Sequence, residues 1–250
     1  WDWPRDVEQI GLPMHLVYTS IRTVPPPASP DERKAFGELR TTVPPAHAPV
    51  GTIVIILCEA CWHDGNNFSA AFAPLRDMGF RHFRAVSPAY GGQTVNASFE
   101  LLTGLPAHGV LTGVIYQEFA DVLASQVAAL PGSLRDMGYR TFALHNHFRK
   151  FWRRDEMKPR LGFDRFISRE DMASGDATVP RENIFIDDGY LFAASLELLR
   201  EQRGRNTFSF LTTVHTHGPY LKNADDGEAD YENRLRLTLR QAAGFSGKVL

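Results

Sequence analysis

The sequence predicts an α/β protein whose mostly parallel sheet is covered by helices on both faces. Apolar runs of strand length alternate along the chain with patterns of helical period, which is the order that parallel strands and crossover helices produce. Glycine follows three of the helical patterns, at Gly79, Gly104 and Gly138, where a helix has to end. A chain of 250 residues is long enough for one such domain or two small ones.

The apolar runs and the helical patterns can be assigned in chain order. The apolar runs predict strands over residues 52–58, 80–86, 140–144 and 207–214. The helical patterns predict helices over residues 67–78, 95–103, 131–137 and 187–202. Residues 1–50 differ, because two proline clusters fix backbone angles and remove donors there. They predict an irregular lead-in with one short helix near residues 31–39, before a folded domain over residues 51–250.

Composition and charge exclude several classes of function. Hydrophobic residues make up 43% of the chain and charged residues 22%, as in an ordinary soluble globular domain. The net charge is −2 and the one basic cluster covers residues 149–154, which argues against a nucleic-acid partner. No signal peptide and no run of about 20 apolar residues is visible. The chain begins at Trp1 and not at Met, so we expect it to be a piece of a longer protein.

Two cysteines flank a carboxylate at the end of the first predicted strand, in Cys58-Glu59-Ala60-Cys61. A redox pair of this spacing should open a helix, and a zinc site needs a second ligand pair at suitable spacing. Neither context is present, so we expect two unpaired thiols that take no part in the chemistry.

The first candidate site residues are Glu59 and Thr94. Ligands of open α/β sheets bind beyond the carboxyl ends of the strands, where Glu59 falls, and its carboxylate suits a metal ligand, a general base or a helix cap. Thr94 follows a Gly-Gly pair at the start of a predicted helix. Its hydroxyl suits either an N-cap or a nucleophile that a metal activates. The residues themselves leave these alternatives open.

Four segments make a family resemblance visible. "IVIILCEACW", "AYGGQTVNASFELLTGLP", "LRDMGYRTFALHNHFRKFWRRDEMKPRLGFDRFI" and "HTHGPY" occur in this order. Together they resemble the extracytoplasmic domain of the lipoteichoic acid synthase and phosphoglycerol transferase family, in the sulfatase-like branch of the alkaline phosphatase superfamily. The resemblance runs from about residue 51 to residue 220 and rests on several motifs, so it is specific.

The resemblance implies a fold, a cofactor and a nucleophile. The fold would be an alkaline-phosphatase-like three-layer αβα sandwich. One divalent metal ion, commonly Mn²⁺ with Mg²⁺ or Zn²⁺ as alternatives, would sit at the strand ends. Glu59 and Thr94 match the family's metal ligands, and Thr94 also matches its nucleophile. We therefore expect the oxygens of these two side chains to face each other.

The resemblance also implies a substrate pocket lined by His145, Arg154 and His217. Arginine suits a phosphate because its planar fork donates two parallel hydrogen bonds. His147 departs from the family, since relatives can carry an aspartate at this position. Arg149 and Arg153 are expected to be surface charges. His215 is expected to have a structural role.

The implied function is a metal-dependent transfer of a phosphoglycerol group from a phosphatidylglycerol-type membrane lipid. The acceptor would be a glycan or a polyglycerophosphate, and the intermediate a phosphothreonine-type ester. The protein would be an extracytoplasmic domain of a bacterial plasma-membrane protein, tethered through a missing N-terminal region. A hydrolase of the same fold and a non-catalytic glycan- or lipid-binding relative are the alternatives. Sulfate-ester hydrolysis through formylglycine is not expected, because neither cysteine lies in a C/S-x-P-x-R context.

The family's last two metal ligands, an adjacent Asp-His pair, do not follow His217 in this sequence. The last twenty residues read instead as a helical pattern followed by glycine-punctuated sequence. A hard cation prefers about six oxygen ligands, and Glu59 and Thr94 supply only two side chains. We therefore expect a domain that is truncated at its C-terminus, an active parent protein and an inactive fragment.

Overall fold

A computed structural model describes residues 51–62, 68–83, 93–105, 114–118, 120, 127–173, 185–221 and 224–250. The predicted lead-in over residues 1–50, with its short helix, lies outside these ranges. Four strands form one sheet: β1 (Thr52–Leu57), β2 (Arg140–His145), β3 (Arg165–Ser168) and β4 (Thr207–Thr212). Their order is β1-β4-β2-β3 and every neighbouring pair is parallel. The predicted parallel α/β class is therefore confirmed.

The strand predicted over residues 80–86 is wrong in its described part. Residues 80–83 form no strand, and the side chains of Phe80 and Phe83 are exposed. Residues 84–86 lie outside the described residues. The apolar residues of this run predicted burial, but no described element packs over residues 80–83. Strand β3 was not predicted, because its four residues are too short to show a period.

Eight helices surround the sheet in the part of the chain that the structure describes. They are α1 (Ala73–Asp77), α2 (Thr94–Thr103), α3 (Ile115–Glu118), α4 (Leu130–Asp136), α5 (Arg154–Arg160), α6 (Arg169–Met172), α7 (Asp188–Glu201) and α8 (Ala224–Val249). Short 3-10 turns, Ser69–Phe72 and Phe151–Arg153, precede α1 and α5. The four predicted helices correspond to α1 with its preceding turn, α2, α4 and α7.

The two faces of the sheet are buried in separate cores. Phe208 and Phe210 of β4 pack with Phe99 of α2 and Met157 of α5. Leu211, the next residue of β4, belongs to a second cluster with residues of α7 and α8. Successive side chains of a strand point to opposite faces, so the clusters lie on opposite sides of the sheet. The domain is therefore a three-layer αβα sandwich, as the resemblance implied.

The C-terminal helix α8 is longer than the sequence pattern suggested. It continues through Gly244 and Gly247 to Val249, although glycine costs helix stability. Ala242 and Phe245 are buried in the core with α7, and this packing offsets the glycine cost. No helix in the described ranges is both long and apolar enough to cross a membrane.

The expectation of two unpaired thiols is wrong. Cys58 and Cys61 form a disulfide with a Cα–Cα distance of 5.4 Å. The chain turns tightly after β1, where the Cys61 amide donates to the Cys58 carbonyl at 3.4 Å and Ala60 has a φ of 56°. The spacing alone did not reveal this turn. The disulfide closes the turn that carries Glu59, so the cysteines support the candidate site.

Candidate active site

The carboxylate of Glu59 and the hydroxyl of Thr94 meet at the carboxyl edge of the sheet. Glu59 lies two residues after the end of β1, and Thr94 is the first residue of α2. Thr94 Oγ1 donates a hydrogen bond to Glu59 Oε1 at 2.5 Å. The structure therefore brings together two residues that are 35 positions apart in the sequence. A carboxylate and a hydroxyl in contact are oxygen donors of the kind that hard divalent cations prefer.

Thr94 does not cap its helix. The N-cap of α2 is Gln93, which has a left-handed backbone and makes no side-chain capping bond. The hydroxyl of Thr94 is engaged by Glu59 instead. The first turn of α2 is anchored by the buried Asn96, whose side chain bonds Gln93 at 3.0 Å and accepts from the Ile115 amide at 3.1 Å. The N-cap alternative is therefore excluded, and the start of α2 is fixed to its neighbours.

The backbone of Glu59 is held from both sides by the loop that follows β4. Its amide donates to Thr213 Oγ1 at 3.0 Å, and its carbonyl accepts a short hydrogen bond from Thr216 Oγ1. Both threonines are fully buried. Residues 213–216 are thus a clamp that sets the position of the carboxylate.

Asp188 fixes the clamp to the rest of the domain. This fully buried carboxylate accepts from the amides of Val214 and His215 at 2.9 and 3.3 Å. It also accepts from Asn146 Nδ2 at 2.9 Å and from Thr238 Oγ1 at 2.7 Å. One side chain at the start of α7 therefore joins the loops after β2 and β4 to α8.

Burial raises the pKa of Glu59 above its ordinary value. The hydrogen bond from Thr94 opposes this shift, as do Arg154 and His217. Only 8% of Glu59 is exposed, so little water reaches its charge. A buried carboxylate without a cation is costly, and a bound cation would relieve that cost.

Arg154 is buried and cationic, so it is not a solvent-exposed charge on the surface of its helix. It is 4% exposed, and its guanidinium lies 5.2 Å from the ring centroids of both Phe151 and Trp152. Burial lowers its pKa to about 10, while the charge of Glu59 raises it, so Arg154 stays protonated at neutral pH. Within the described part of the chain no carboxylate forms a salt bridge with it. Its positive charge is therefore available to an anionic ligand.

His145 has a buried nitrogen, Nε2, that can accept a hydrogen bond. Its Nδ1 lies 2.8 Å from the carbonyl of Thr212, and a carbonyl only accepts, so Nδ1 carries the proton. Its Nε2 is buried and has no hydrogen-bond partner among the described residues. Burial, with a smaller effect of Arg154, lowers the pKa of His145 well below its ordinary value, so the ring is neutral.

The rings of His145, His147, Phe185 and His217 form one contiguous cluster. His147 stacks on His145 with 5.8 Å between ring centroids, and its Nδ1 lies 3.3 Å from Arg154 Nη1. Phe185 contacts His147 at 5.8 Å and stacks on His217 at 4.6 Å. The three residues assigned to a substrate pocket thus converge from three separate segments. Their role in binding stays a prediction.

The other basic and histidine residues named from the sequence lie outside this cluster. Arg149 pairs with Asp171 and Arg153 pairs with Glu156, and both pairs are partly exposed. His215 lies in the turn after β4, so the strand argument that would pair it with His217 does not apply. Its amide takes part in the Asp188 anchor. These placements agree with surface and structural roles.

Backbone strain is concentrated around the candidate site. Non-glycine residues rarely adopt a positive φ, and each costs on the order of 1–3 kcal/mol. In the described part of the chain, four of the five such residues lie within two positions of Glu59, Thr94 or Arg154. These four are Ala60, Gln93, Trp152 and Arg153. Such strain persists only where the surrounding structure imposes it, and it is typical of functional sites.

Sequence reasoning missed Lys158, which lies one helical turn after Arg154 on α5. Lys158 is 4% exposed, and its Nζ lies 5.0 Å from the ring centroid of Phe210 and 5.8 Å from that of Tyr116. The spacing of four residues on a helix was the one available signal. The clamp residues Thr213 and Thr216 were also missed, although Thr213 lies within the strand predicted over residues 207–214 and Thr216 lies two residues after it.

Burial, and more weakly the charge of Arg154, lower the pKa of Lys158 from 10.5 to about 7. The folded state therefore binds this proton less tightly than the unfolded chain does. By linkage, stability should rise with pH between about 7 and 10.5. We expect Lys158→Met to raise the free energy of unfolding by a few kcal/mol at pH 6 and by clearly less at pH 9. Denaturant unfolding at both pH values measures the difference, and a gain that is independent of pH would contradict it.

No group of three or more histidine, cysteine, aspartate or glutamate side chains forms a metal cluster within the described ranges. Glu59 and Thr94 fit a divalent cation as two ligands of a larger set, since both are oxygen donors at one point and the carboxylate is buried. Zinc is bound in a solved complex of the C-terminal periplasmic domain of EcEptC from Escherichia coli. That domain is 13% identical, with 81% of this chain and 60% of that chain covered and a TM-score of 0.52.

The fold is that of an alkaline-phosphatase-like α/β domain with a parallel sheet. Two solved structures share the fold. The lipoteichoic acid synthase LtaP from Listeria monocytogenes is 22% identical over 80% of this chain and 52% of that chain, with a TM-score of 0.60. The Streptococcus pyogenes phosphoglycerol transferase GacH, in complex with sn-glycerol-1-phosphate, is 18% identical over 87% and 61%, with a TM-score of 0.62.

The chain belongs to the sulfatase family, whose family model matches residues 52–239. A Rhizobium meliloti (strain 1021) protein named for cyclic β-1,2-glucan modification is 27% identical over 194 residues, or 72% of this chain. The chain covers 29% of that relative's length and about half to three fifths of the solved structures.

Proposed function

We propose that this domain transfers a phosphoglycerol group from a phosphatidylglycerol-type membrane lipid to the hydroxyl of a glycan acceptor. Thr94 is the nucleophile, and the transfer passes through a phosphodiester on its hydroxyl. The reaction takes place outside the cytoplasm, in a protein of which this chain is the catalytic part. Glycan transfer is favoured over polyglycerophosphate synthesis by the glucan-modification relative.

The observation that carries the proposal is the contact between Thr94 Oγ1 and the buried carboxylate of Glu59 at 2.5 Å. A hydroxyl in this contact is oriented, and Glu59 is positioned to take its proton. Arg154 supports the same proposal, because it is a buried cation that acts on the same carboxylate and forms no salt bridge with a described residue. A phosphoryl group next to Thr94 would find a charge of opposite sign in a site that excludes water.

The reaction has two displacements at phosphorus. In the first, Thr94 Oγ1 forms a bond to phosphorus while the bond to the diacylglycerol oxygen breaks. Glu59 takes the hydroxyl proton, and the leaving oxygen takes a proton from solvent. In the second, the acceptor hydroxyl attacks phosphorus, its proton is released, and the bond to Thr94 breaks. Thr94 Oγ1 then recovers a proton from Glu59, so the enzyme is unchanged.

A divalent cation held by Glu59 and Thr94 would supply Lewis-acid stabilisation of the hydroxyl oxygen and of the phosphoryl charge. The chain's own contribution is to orient Thr94 at the start of α2. The clamp of Thr213 and Thr216 keeps Glu59 in place, and Arg154 neutralises the transferred group. Formylglycine chemistry is not supported, because threonine cannot form that group and both cysteines are paired in a disulfide.

The test is a donor assay with the full-length protein, phosphatidylglycerol vesicles and Mn²⁺. We expect release of diacylglycerol and, when no acceptor is present, a glycerophosphoryl mass added to Thr94. Addition of a β-1,2-glucan should discharge that adduct and label the glucan. Without an acceptor, more than one diacylglycerol released per enzyme, together with free glycerol phosphate, would favour the hydrolase alternative. The absence of any release would contradict the proposal.

A further inference from the structure

An open groove next to the candidate site is walled by aromatic side chains and encloses about 480 Å³. We call it the aromatic groove, and its lining is Ala60, Trp62, Phe68, Tyr220, Glu228 and Tyr231. Its lining includes neighbours of two site residues in the sequence. Ala60 follows Glu59 in the chain, and Tyr220 lies three residues after His217. The groove therefore lies beside the loops that carry the candidate site.

Hydrogen bonds hold the walls of the aromatic groove in place. The hydroxyl of Tyr231 donates to the carbonyl of Ala60 at 2.9 Å and accepts from the amide of Trp62 at 2.7 Å. The hydroxyl of Tyr220 donates to the carbonyl of Thr216 at 2.7 Å. Both tyrosine hydroxyls are thus used to brace the loops that carry the site. Their rings remain as groove walls and contact each other edge to face at 5.5 Å.

Two of the aromatic rings are exposed to solvent. Trp62 is 58% exposed and Tyr220 is 37% exposed. Exposure of a large aromatic ring to water is unfavourable in free energy. A contiguous group of such rings at the rim of a site therefore marks a binding surface. The groove lies within the size range of small-molecule sites, in which a few polar groups fix the orientation of a ligand held by apolar walls.

The charge of the aromatic groove argues against an anionic ligand. Its charged lining residue is Glu228, and no lysine or arginine lines it in the described ranges. Arg234 lies 5.6 Å from the ring centroid of Tyr220, but it is paired with Asp230 at 2.7 Å. A glycerophosphate polymer would meet a carboxylate here. A neutral sugar would not be repelled, because its hydroxyls can donate to Glu228 while its C–H face packs on a ring.

We infer that the aromatic groove binds a neutral sugar ring of the acceptor glycan, with Trp62 as the stacking platform. The inference deepens the proposed function, because it assigns the acceptor to a surface separate from the phosphate-binding residues. Aromatic cages that bind a small ammonium group enclose it closely. The aromatic groove is open, so it does not suit such a ligand. A chain of sugar rings can instead lie along an open groove beside the loops that carry the site.

The test is direct binding of a β-1,2-linked glucose oligomer to this chain without a lipid donor, so that no reaction can occur. We expect a saturable shift of the Trp62 indole resonance, with a Kd on the order of 1 mM. In calorimetry, Trp62→Ala should weaken binding by about tenfold, and Trp62→Phe should weaken it less because a ring remains. Phe83→Ala is the matched control, since Phe83 is 76% exposed outside the groove.

Two further probes complete the design. Neither sn-glycerol 1-phosphate nor choline should shift the Trp62 resonance. A larger shift with either of them, or no saturable shift with the glucose oligomer, would overturn the inference. Binding of the oligomer without diacylglycerol release in the donor assay would sustain the groove and reject the transferase. Diacylglycerol release together with no oligomer binding would support the transferase and overturn the inference about the aromatic groove.

Discussion

Thr94→Ala is expected to abolish phosphoglycerol transfer, with a loss of at least about a thousandfold in rate. The hydroxyl of Thr94 supplies the atom that bonds to phosphorus in the proposed reaction, and alanine has none. Among the described residues its side chain bonds only Glu59, and it is not part of the core of α2, so the substitution leaves that core intact. The measurement is diacylglycerol release from phosphatidylglycerol by the full-length protein with Mn²⁺ present.

The matched variant is Thr94→Ser, which keeps the hydroxyl and loses only a methyl group. It should retain measurable transfer and should still carry the glycerophosphoryl adduct at position 94. Equal thermal unfolding midpoints for both variants would exclude misfolding as the cause. Wild-type rates in Thr94→Ala would reject the covalent mechanism, and an adduct on another residue would move the nucleophile elsewhere.

Glu59→Gln is expected to have the second largest effect, through loss of cation binding. The amide has nearly the same shape as the carboxylate but carries no charge and cannot take the proton of Thr94. Mn²⁺ affinity should fall by at least about a hundredfold, since even the loss of an outer-sphere partner can cost that much. Calorimetric titration of Mn²⁺ into the full-length protein measures this fall, and transfer should fall with it.

Glu59→Asp is the control for this change. It keeps the charge and shortens the side chain by one methylene, so part of the Mn²⁺ affinity should return. The fold should tolerate both changes, because Thr213 and Thr216 hold the backbone of Glu59, while its carboxylate contacts the hydroxyl of Thr94 at the site itself. Unaltered Mn²⁺ affinity in Glu59→Gln would remove Glu59 from the ligand set.

Much of the fold could be predicted because the determining signals are local. The apolar run of β4 is buried on both faces, so it stands out in the sequence without any knowledge of its neighbours. Helix α2 ends at Gly104, whose left-handed backbone is the ordinary way to stop a helix. The strand predicted over residues 80–86 was wrong in its described part. An apolar run indicates a preference for burial, but it does not show whether another element packs against it.

The candidate site was predictable in part for a different reason. Glu59 and Thr94 each follow a local signal, a strand end and a glycine-rich helix start, and the resemblance assigned both to one site. Their contact at 2.5 Å needs the packing of α2 against the sheet, which no local pattern contains. The pairing of Cys58 with Cys61 depends likewise on a turn that the four-residue spacing did not disclose.

The sequence by itself determined the α/β class, the approximate position of most elements and the residue types available for phosphoryl chemistry. These properties follow from hydrophobic period and from short-range backbone preferences. Only the tertiary structure decided the Thr213 and Thr216 clamp, the Asp188 anchor and the aromatic groove. Each of them joins segments that are far apart in the chain, and such contacts form only when the sheet and its two helical layers have packed. Burial then shifts the pKa values of Glu59, Arg154 and Lys158, because removal of water is a property of the assembled domain.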